Sequence, residues 1–204
     1  MKMENSWICE EVEKTEIQLL RLLANTPLQI RPTFIYFDTH KSNSKQSHFD
    51  AFYKTISQVK KQGLDGLIIT GANLEEYDFE EIFYWKEFAS FLDWARQNVT
   101  SSIFSCWAVH ASLYYYYGIK PRAYSKKQFG IFKHTVHHES GSPLLTGMDD
   151  EIMLPHSRWR GIEKKNLAPH KDLEILIDSK EAGPHLIVGH KGREIYLQGH
   201  PEYD

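Results

Sequence analysis

The chain has 204 residues, 41% of them hydrophobic and 13% aromatic, enough for one sizeable core, so a single domain over 1–204 is expected. Its 24 basic and 27 acidic residues leave a net charge of -3, which supplies no field for nucleic acid; the pairs Lys60-Lys61, Lys126-Lys127 and Lys164-Lys165 read as solvated faces. No apolar run approaches the roughly 18 residues of a membrane span, the start MKMENSWICEEVEKTE lacks a secretory apolar stretch, and Cys9 with Cys106 makes no disulfide framework, so a cytoplasmic protein with a free Cys106 thiol and no membrane partner is expected.

Residues 16–24, EIQLLRLLA, predict a short helix with leucines on more than one side, stopped by Asn25, Thr26 and Pro27. Residues 32–37, PTFIYF, predict a strand, and the polar stretch 38–47 a surface loop able to border a site. From Phe49, the residues Phe52, Tyr53, Ile56 and Val59 recur at helical spacing up to Gly63. Residues 64–70, LDGLIIT, form a buried strand that turns at Gly71-Ala72; an acidic, aromatic loop with a helical turn spans 77–84. The next helix, 85–98, carries Trp85, Phe88, Ala89, Leu92 and Ala95 on one side, and a strand at 100–105 leads to a helix at 107–117 that stops at Gly118.

This alternation of strand and helix predicts an α/β fold, a mainly parallel sheet with helices on both faces and sites at the strand carboxyl ends. After Gly118 the short strand candidates 129–134, 151–154, 173–178, 185–188 and 194–198, with a hairpin signal at Lys191-Gly192, read as antiparallel additions to the same sheet. They deliver Gly199-His200-Pro201-Glu202 at the end of the last strand.

Cys106 falls at the sharp turn between a strand and a helix. A nucleophile there is lifted above the sheet edge, beside the free N–H groups that open the helix and can stabilise an oxyanion. The alternative is a buried structural cysteine. A cysteine nucleophile needs a base, and the base an orienting partner; His200, with Glu202 two positions on, offers both, or else forms only a polar turn. His134, His137 and His138 lack a fourth ligand at matching spacing and read as rim residues, so no metal is expected. His156-Ser157-Arg158, placed just after a strand, reads as a donor-rich cluster for a carboxylate or a phosphate-bearing cofactor. The run Tyr114, Tyr115, Tyr116 and Tyr117 cannot lie on one helical face and divides between packing and interface.

The stretches TEIQLLRLLANTPLQI, LDGLIITGANLE, YWKEFASFLDWARQNVTSSIFSCWAVHASLYYYYGI, FGIFKH, LPHSR and GHPEYD together resemble the homoserine O-acyltransferases of the MetA type, the homoserine O-succinyltransferase/O-acetyltransferase family. The resemblance implies a class I glutamine amidotransferase-like, three-layer flavodoxin-like fold. It implies Cys106 as acylated nucleophile, His200 as its base, Glu202 as the residue orienting His200, and N–H groups near Gly71, Ala72 and Trp107 as oxyanion hole. Arg158, with His156 and Ser157, would face the amino-acid or acyl-donor site. The implied reaction is ping-pong transfer from an acyl-CoA co-substrate to the hydroxyl of L-homoserine, in methionine biosynthesis, by a homodimer with no permanently bound cofactor. Glu75, after the turn at Gly71, would crowd the pocket and repel a succinyl carboxylate, which favours acetyl-CoA over succinyl-CoA. Serine as acceptor, hydrolysis, and a non-catalytic paralogue stay open as alternatives. By the same resemblance the chain is short at both ends, and His110 stands where the family carries an amide.

Overall fold

A computed structural model describes residues 12–39, 50–71, 74 and 77–203. They form two compact units, one containing the described residues up to Asp65 with Tyr77–Val99 and those from Glu202, the other those within Gly66–Glu76 and Thr100–Pro201.

The first unit contains α1 (Val12–Ala24), β1 (Phe34–Tyr36), β2 (Tyr53–Thr55), α2 (Ile56–Gln62), a 3-10 turn at Phe79–Glu81 and α3 (Trp85–Asn98). β1 and β2 pair in parallel from Phe34↔Tyr53 to Tyr36↔Thr55. The helix expected from Phe49 is interrupted: residues 50–52 are helical, β2 follows, and the chain re-enters a helix at Ile56, where Thr55 caps it, its hydroxyl accepting the Gln58 N–H while the Gln58 side chain accepts the Thr55 N–H. Only Ile56 and Val59 of the anticipated stripe are buried on this helix, and Phe52 is exposed. α3 has the predicted bounds and buries Phe88, Phe91, Leu92 and Ala95. Its Glu87 carboxylate accepts the Asp38 N–H at 2.6 Å and the Thr39 N–H at 3.1 Å, and Asp38 in turn accepts the Ser57 N–H at 3.0 Å, so one chain of acceptors joins α3, the end of β1 and the start of α2.

The second unit is a seven-stranded sheet with two described helices. Its strands are β3 (Gly66–Ile69), β4 (Ser101–Ser105), β5 (Arg122–Val136), β6 (Glu151–Gly161), β7 (Glu174–Ser179), β8 (Gly183–Gly189) and β9 (Glu194–Leu197), in the order β3-β4-β9-β8-β7-β5-β6. β3, β4 and β9 run parallel; every other neighbouring pair is antiparallel. The sheet is thus mixed, with the antiparallel additions in the second half as expected and the parallel part confined to the three strands that carry Gly71, Cys106 and His200 at their ends.

α4 (Trp107–Tyr117) follows β4, and α5 (Lys164–Leu167) follows β6. Trp107 to Leu113 are all buried, and Gly118 ends α4 in the left-handed conformation, its N–H bonded to Tyr114 O. The sheet core gathers Val136, Leu145, Leu176, Ile177, Leu186 and Val188.

β5 and β6 run well past their predicted bounds as a long hairpin. Its outer positions Phe129, Ile131 and Met153 are exposed, and the lysine-rich stretch 125–128 carries no alternation to read. β5 meets β7 only through Thr135 and Val136, and the His200 N–H bonds Pro155 O on β6 at 3.0 Å; strands four places apart in sheet order meet there, so the sheet curls. Among the described residues no helix is long and apolar enough to cross a membrane.

Candidate active site

β4 and β9 pair in parallel with Ser105 opposite Leu197, so the residues just past each strand emerge at one edge of the sheet. After β4 comes Cys106; after β9 come Gln198, Gly199 and His200. The Cys106 N–H donates to Leu197 O at 3.0 Å, which carries the ladder one residue beyond β4 to the last residue of β9.

Cys106 is half-buried and takes φ 54° and ψ -118°, a conformation costly for a residue with a Cβ. The strain comes from reversing the chain within one residue: Cys106 ends the ladder with Leu197 and already offers its carbonyl to the Val109 N–H at 3.0 Å as α4 begins. Gly71, just past β3, completes the corner. A Cβ there would lie 2.9 Å from Cys106 Cβ, 3.2 Å from Sγ and 3.5 Å from the Trp107 nitrogen. The bare glycine therefore brings the chain against the thiol and the first N–H of α4, which is where an oxyanion formed by attack of Sγ needs donors. Ala72 and Glu75 lie outside the described residues.

His200 is buried three residues past the end of β9, its backbone fixed by Pro155 O. Glu202 is half-buried and belongs to the first unit.

The expected cluster His156-Ser157-Arg158 is divided by the pleat. The strand does not stop at Leu154 but continues to Gly161, with Pro155 tolerated because β6 is the outermost strand. Successive side chains therefore point to opposite faces: His156 and Arg158 are each 1% exposed, and Ser157 between them is half-buried on the other face. Arg158 donates to Gln128 Oε1 at 3.0 Å, to Gln198 Oε1 and to Ala182 O, and stacks over Tyr124. Those guanidinium donors bind the fold's own oxygens. His156 Nε2 lies 3.0 Å from His134 Nε2, and His134, expected at the rim, is fully buried because it alternates inward along β5. Its neighbour His137 does lie near the surface, with Asp178 at 2.9 Å and Glu139 at 3.1 Å. His138 is exposed.

Two buried residues matter that the sequence did not single out. Gln198, fully buried, accepts with its Oε1 from Arg158 and the Ile162 N–H at 2.8 Å, lies 3.4 Å from His110 Nε2, and donates to Pro184 O. It ties the end of β9 to β6, β8 and α4. His185 on β8 accepts the Gly199 N–H at 3.1 Å. Burial, reinforced by the Arg158 charge, pushes His110 down to about 3; burial likewise pushes His156 down to about 2 and His185 to about 3. All three are neutral at pH 7. The only sequence signal for Gln198 was a glutamine at the apolar end of a strand, beside a glycine. Among the described residues, His134, His156 and His185 alone bring ring nitrogens within 4.8 Å of one another in a metal-like trio.

The family profile of homoserine O-succinyltransferase matches residues 7–204. The chain is 47% identical over 191 residues to a homoserine O-acetyltransferase of Petrotoga mobilis, covering 93% of this chain and 62% of that protein. It is 42% identical over 192 residues to a homoserine O-succinyltransferase of Pseudoalteromonas translucida, covering 94% of this chain and 61% of that one. The chain thus spans a little over three fifths of the length of these curated relatives. A glutamine amidotransferase from Thermotoga maritima superposes with a TM-score of 0.58 at 11% identity over 85% of this chain and 77% of that one, which identifies the fold as glutamine amidotransferase-like. With the profile matched along nearly the whole sequence and the strained cysteine at its strand end, the chain belongs to the homoserine O-succinyltransferase family.

Proposed function

We propose that this chain carries the acyl-transfer centre of an enzyme that moves an acetyl group from acetyl-CoA to the side-chain hydroxyl of L-homoserine. The observation that carries the reading is the strained Cys106 corner with Gly71 pressed against Sγ and the Trp107 N–H, in a chain of this family. Cys106 gives its thiol proton to His200 as Sγ attacks the thioester carbonyl; the carbon–sulfur bond to CoA breaks, and CoA leaves as the thiol with that proton, returned by His200. His200 then takes the proton of the acceptor hydroxyl, whose oxygen attacks the acyl-cysteine; the bond from the acyl carbon to Sγ breaks, and His200 returns the proton to the Cys106 thiolate. Trp107 N–H and the backbone near Gly71 and Ala72 hold the oxyanion in both steps.

Glu202, two residues along the chain, is assigned to orient His200 on the H-x-E spacing. Ser157 is left as the polar group of the LPHSR stretch that is not turned inward, and we assign it to the substrate side. Acetyl is chosen over succinyl on the charge and bulk of Glu75 and on the name of the Petrotoga mobilis relative. We assign the reaction to the cytoplasm, where acyl-CoA is made, and the assembly to a homodimer.

The test is intact-mass analysis of the chain mixed with acetyl-CoA or succinyl-CoA, beside Cys106→Ala. The expected result is an adduct of about 42 Da from acetyl-CoA, discharged by homoserine and absent from the variant. Preferential discharge by serine or by water would replace the acceptor in this reading. A succinyl adduct alone would reverse the role given to Glu75. No adduct from either donor would exclude the acyl-cysteine route for the chain as it stands.

A further inference from the structure

The turn that presents His200 leaves the sheet without leaving its hydrogen bonds. After Leu197, three successive N–H groups no longer lie in a strand: Gln198 N–H donates to His185 O at 3.0 Å, Gly199 N–H to the His185 side chain at Nδ1 at 3.1 Å, and His200 N–H to Pro155 O at 3.0 Å. The middle one has exchanged a carbonyl for an imidazole. The exchange also explains the glycine: a Cβ at Gly199 would lie 2.8 Å from His185 Nδ1, 2.9 Å from its Cε1 and 2.9 Å from Pro155 O.

The directions of the bonds fix the tautomers of the three clustered rings. Phe132 O only accepts, so His134 Nδ1, 2.9 Å away, carries the proton and its Nε2 the lone pair. The 3.0 Å approach of His156 Nε2 to that lone pair then places a proton on His156 Nε2. A backbone N–H only donates, so His185 Nδ1 is the lone pair and its proton sits on Nε2. The lone pairs of His134 and His185 are thus already engaged, one by a ring N–H and one by the backbone. Despite the proximity of their nitrogens, the trio is built as a set of hydrogen-bonded neutral rings and not as a ligand set.

We propose that His185 is a positioning residue for the reaction: through Nδ1 it holds the Gly199 N–H, and with it the backbone that aims His200 at the acyl-cysteine. The proposal rests on the acyltransferase reading for its kinetic consequence but not for its geometry. An acceptor at that point keeps the turn from relaxing, and a base displaced by even an ångström loses much of its effect.

Two variants separate this role from packing. In His185→Asn, Oδ1 stands the same two bonds from Cβ as Nδ1 and accepts the same N–H; in His185→Leu the volume is filled and no acceptor remains. The expected result is homoserine-dependent discharge of acetyl-Cys106 within about threefold of the parent for Asn and at least about tenfold slower for Leu, with KM for acetyl-CoA unchanged. The reverse order, Leu active and Asn impaired, would make His185 a packing residue and overturn the proposal.

Should the parent chain fail to acylate at all, the acyltransferase reading falls and the geometry is read by NMR alone. A lone-pair-type 15N shift at His185 Nδ1, with Gly199 amide exchange slow in the parent and Asn chains and fast in Leu, sustains the bond. A protonated Nδ1, or Gly199 exchange unaffected by Leu, overturns it. One equivalent of Zn2+ held by the parent chain and lost in both variants would also overturn it, by making the trio a metal site.

Discussion

The cysteine corner and the histidine turn sit at the ends of neighbouring parallel strands and are built by opposite means. At Cys106 everything is local: a strand, one strained residue and a helix succeed one another along the chain, and the geometry is stored in a single pair of backbone angles. At His200 the backbone carries no such outlier, since the non-glycine residues with positive φ among those described are Cys106, His190 and Lys191. Its position comes from partners far away in sequence, Pro155 and His185, and from the hub at Gln198 two residues back. The proposed nucleophile is held by strain within the chain and the proposed base by satisfied polar groups around it. They should therefore fail under different insults.

Acid should find the histidine turn first. His110, His156 and His185 are neutral in the fold with values near 3, 2 and 3, whereas an unfolded histidine titrates near 6.5. Below about pH 6.5 the unfolded chain binds protons that the folded chain refuses. The stabilisation is complete above that pH and is lost as pH falls toward about 3, at up to about 1.4 kcal/mol per pH unit for each histidine. Urea unfolding at pH 7, 6 and 5 should show midpoints falling with increasing slope, and His185→Asn should flatten the curve by removing one titrating group. In the same pH series, amide exchange should rise at Gly199 and His200 before it rises at Cys106. A flat stability curve from pH 7 to 5, or loosening at Cys106 first, would remove the distinction between the two ends.

Gly71→Ala attacks the other end. The added methyl would fall 2.9 Å from Cys106 Cβ and 3.2 Å from Sγ, so either the thiol or the chain around the oxyanion donors must move. The rate of Cys106 acylation by acetyl-CoA should fall by about 10²–10³, the cost of a misplaced nucleophile or a lost oxyanion donor. The melting temperature should stay within about 2 °C, since Gly71 is exposed and its backbone needs no positive φ. Acylation at the parent rate would show that the corner has room to spare.

The contrast also explains what the sequence could show. Strand, cysteine and helix at 100–118 were legible because the signals lie side by side: an apolar run, a helical run and a stop glycine, with helix bounds that match to the residue. From the residues themselves Gly71 was legible as a turn at a strand end, its oxyanion role coming only with the resemblance; that it faces Sγ depends on the parallel register of β3 with β4. The His156-Ser157-Arg158 stretch reads as a loop cluster only if Pro155 ends the strand, whereas on an outer strand the missing donor faces no neighbour and the strand runs on. His185 and Gln198 left almost no trace. A polar residue at the end of an apolar strand is ordinarily solvated, and only the curl that brings β6 back to the end of β9 buries them.

The smallest effect gives the cleanest test of where the strain lies. At an ordinary strand or turn position glycine is less stable than alanine by about 0.5–1 kcal/mol, because it has more freedom to lose on folding. At Cys106, with φ 54° and ψ -118°, the order should invert. Cys106→Ala keeps a Cβ in a conformation that resists it and Cys106→Gly removes the Cβ, so the glycine variant should be more stable by about 1 kcal/mol. The paired variants His200→Ala and His200→Gly should keep the ordinary order, alanine above glycine, because no positive φ is imposed there. The comparison needs no activity and reads backbone energy alone, through urea midpoints at constant m-value. An Ala-over-Gly order at both positions would mean that the corner relaxes once the thiol is gone, and that side-chain contacts rather than the chain reversal hold the nucleophile in place.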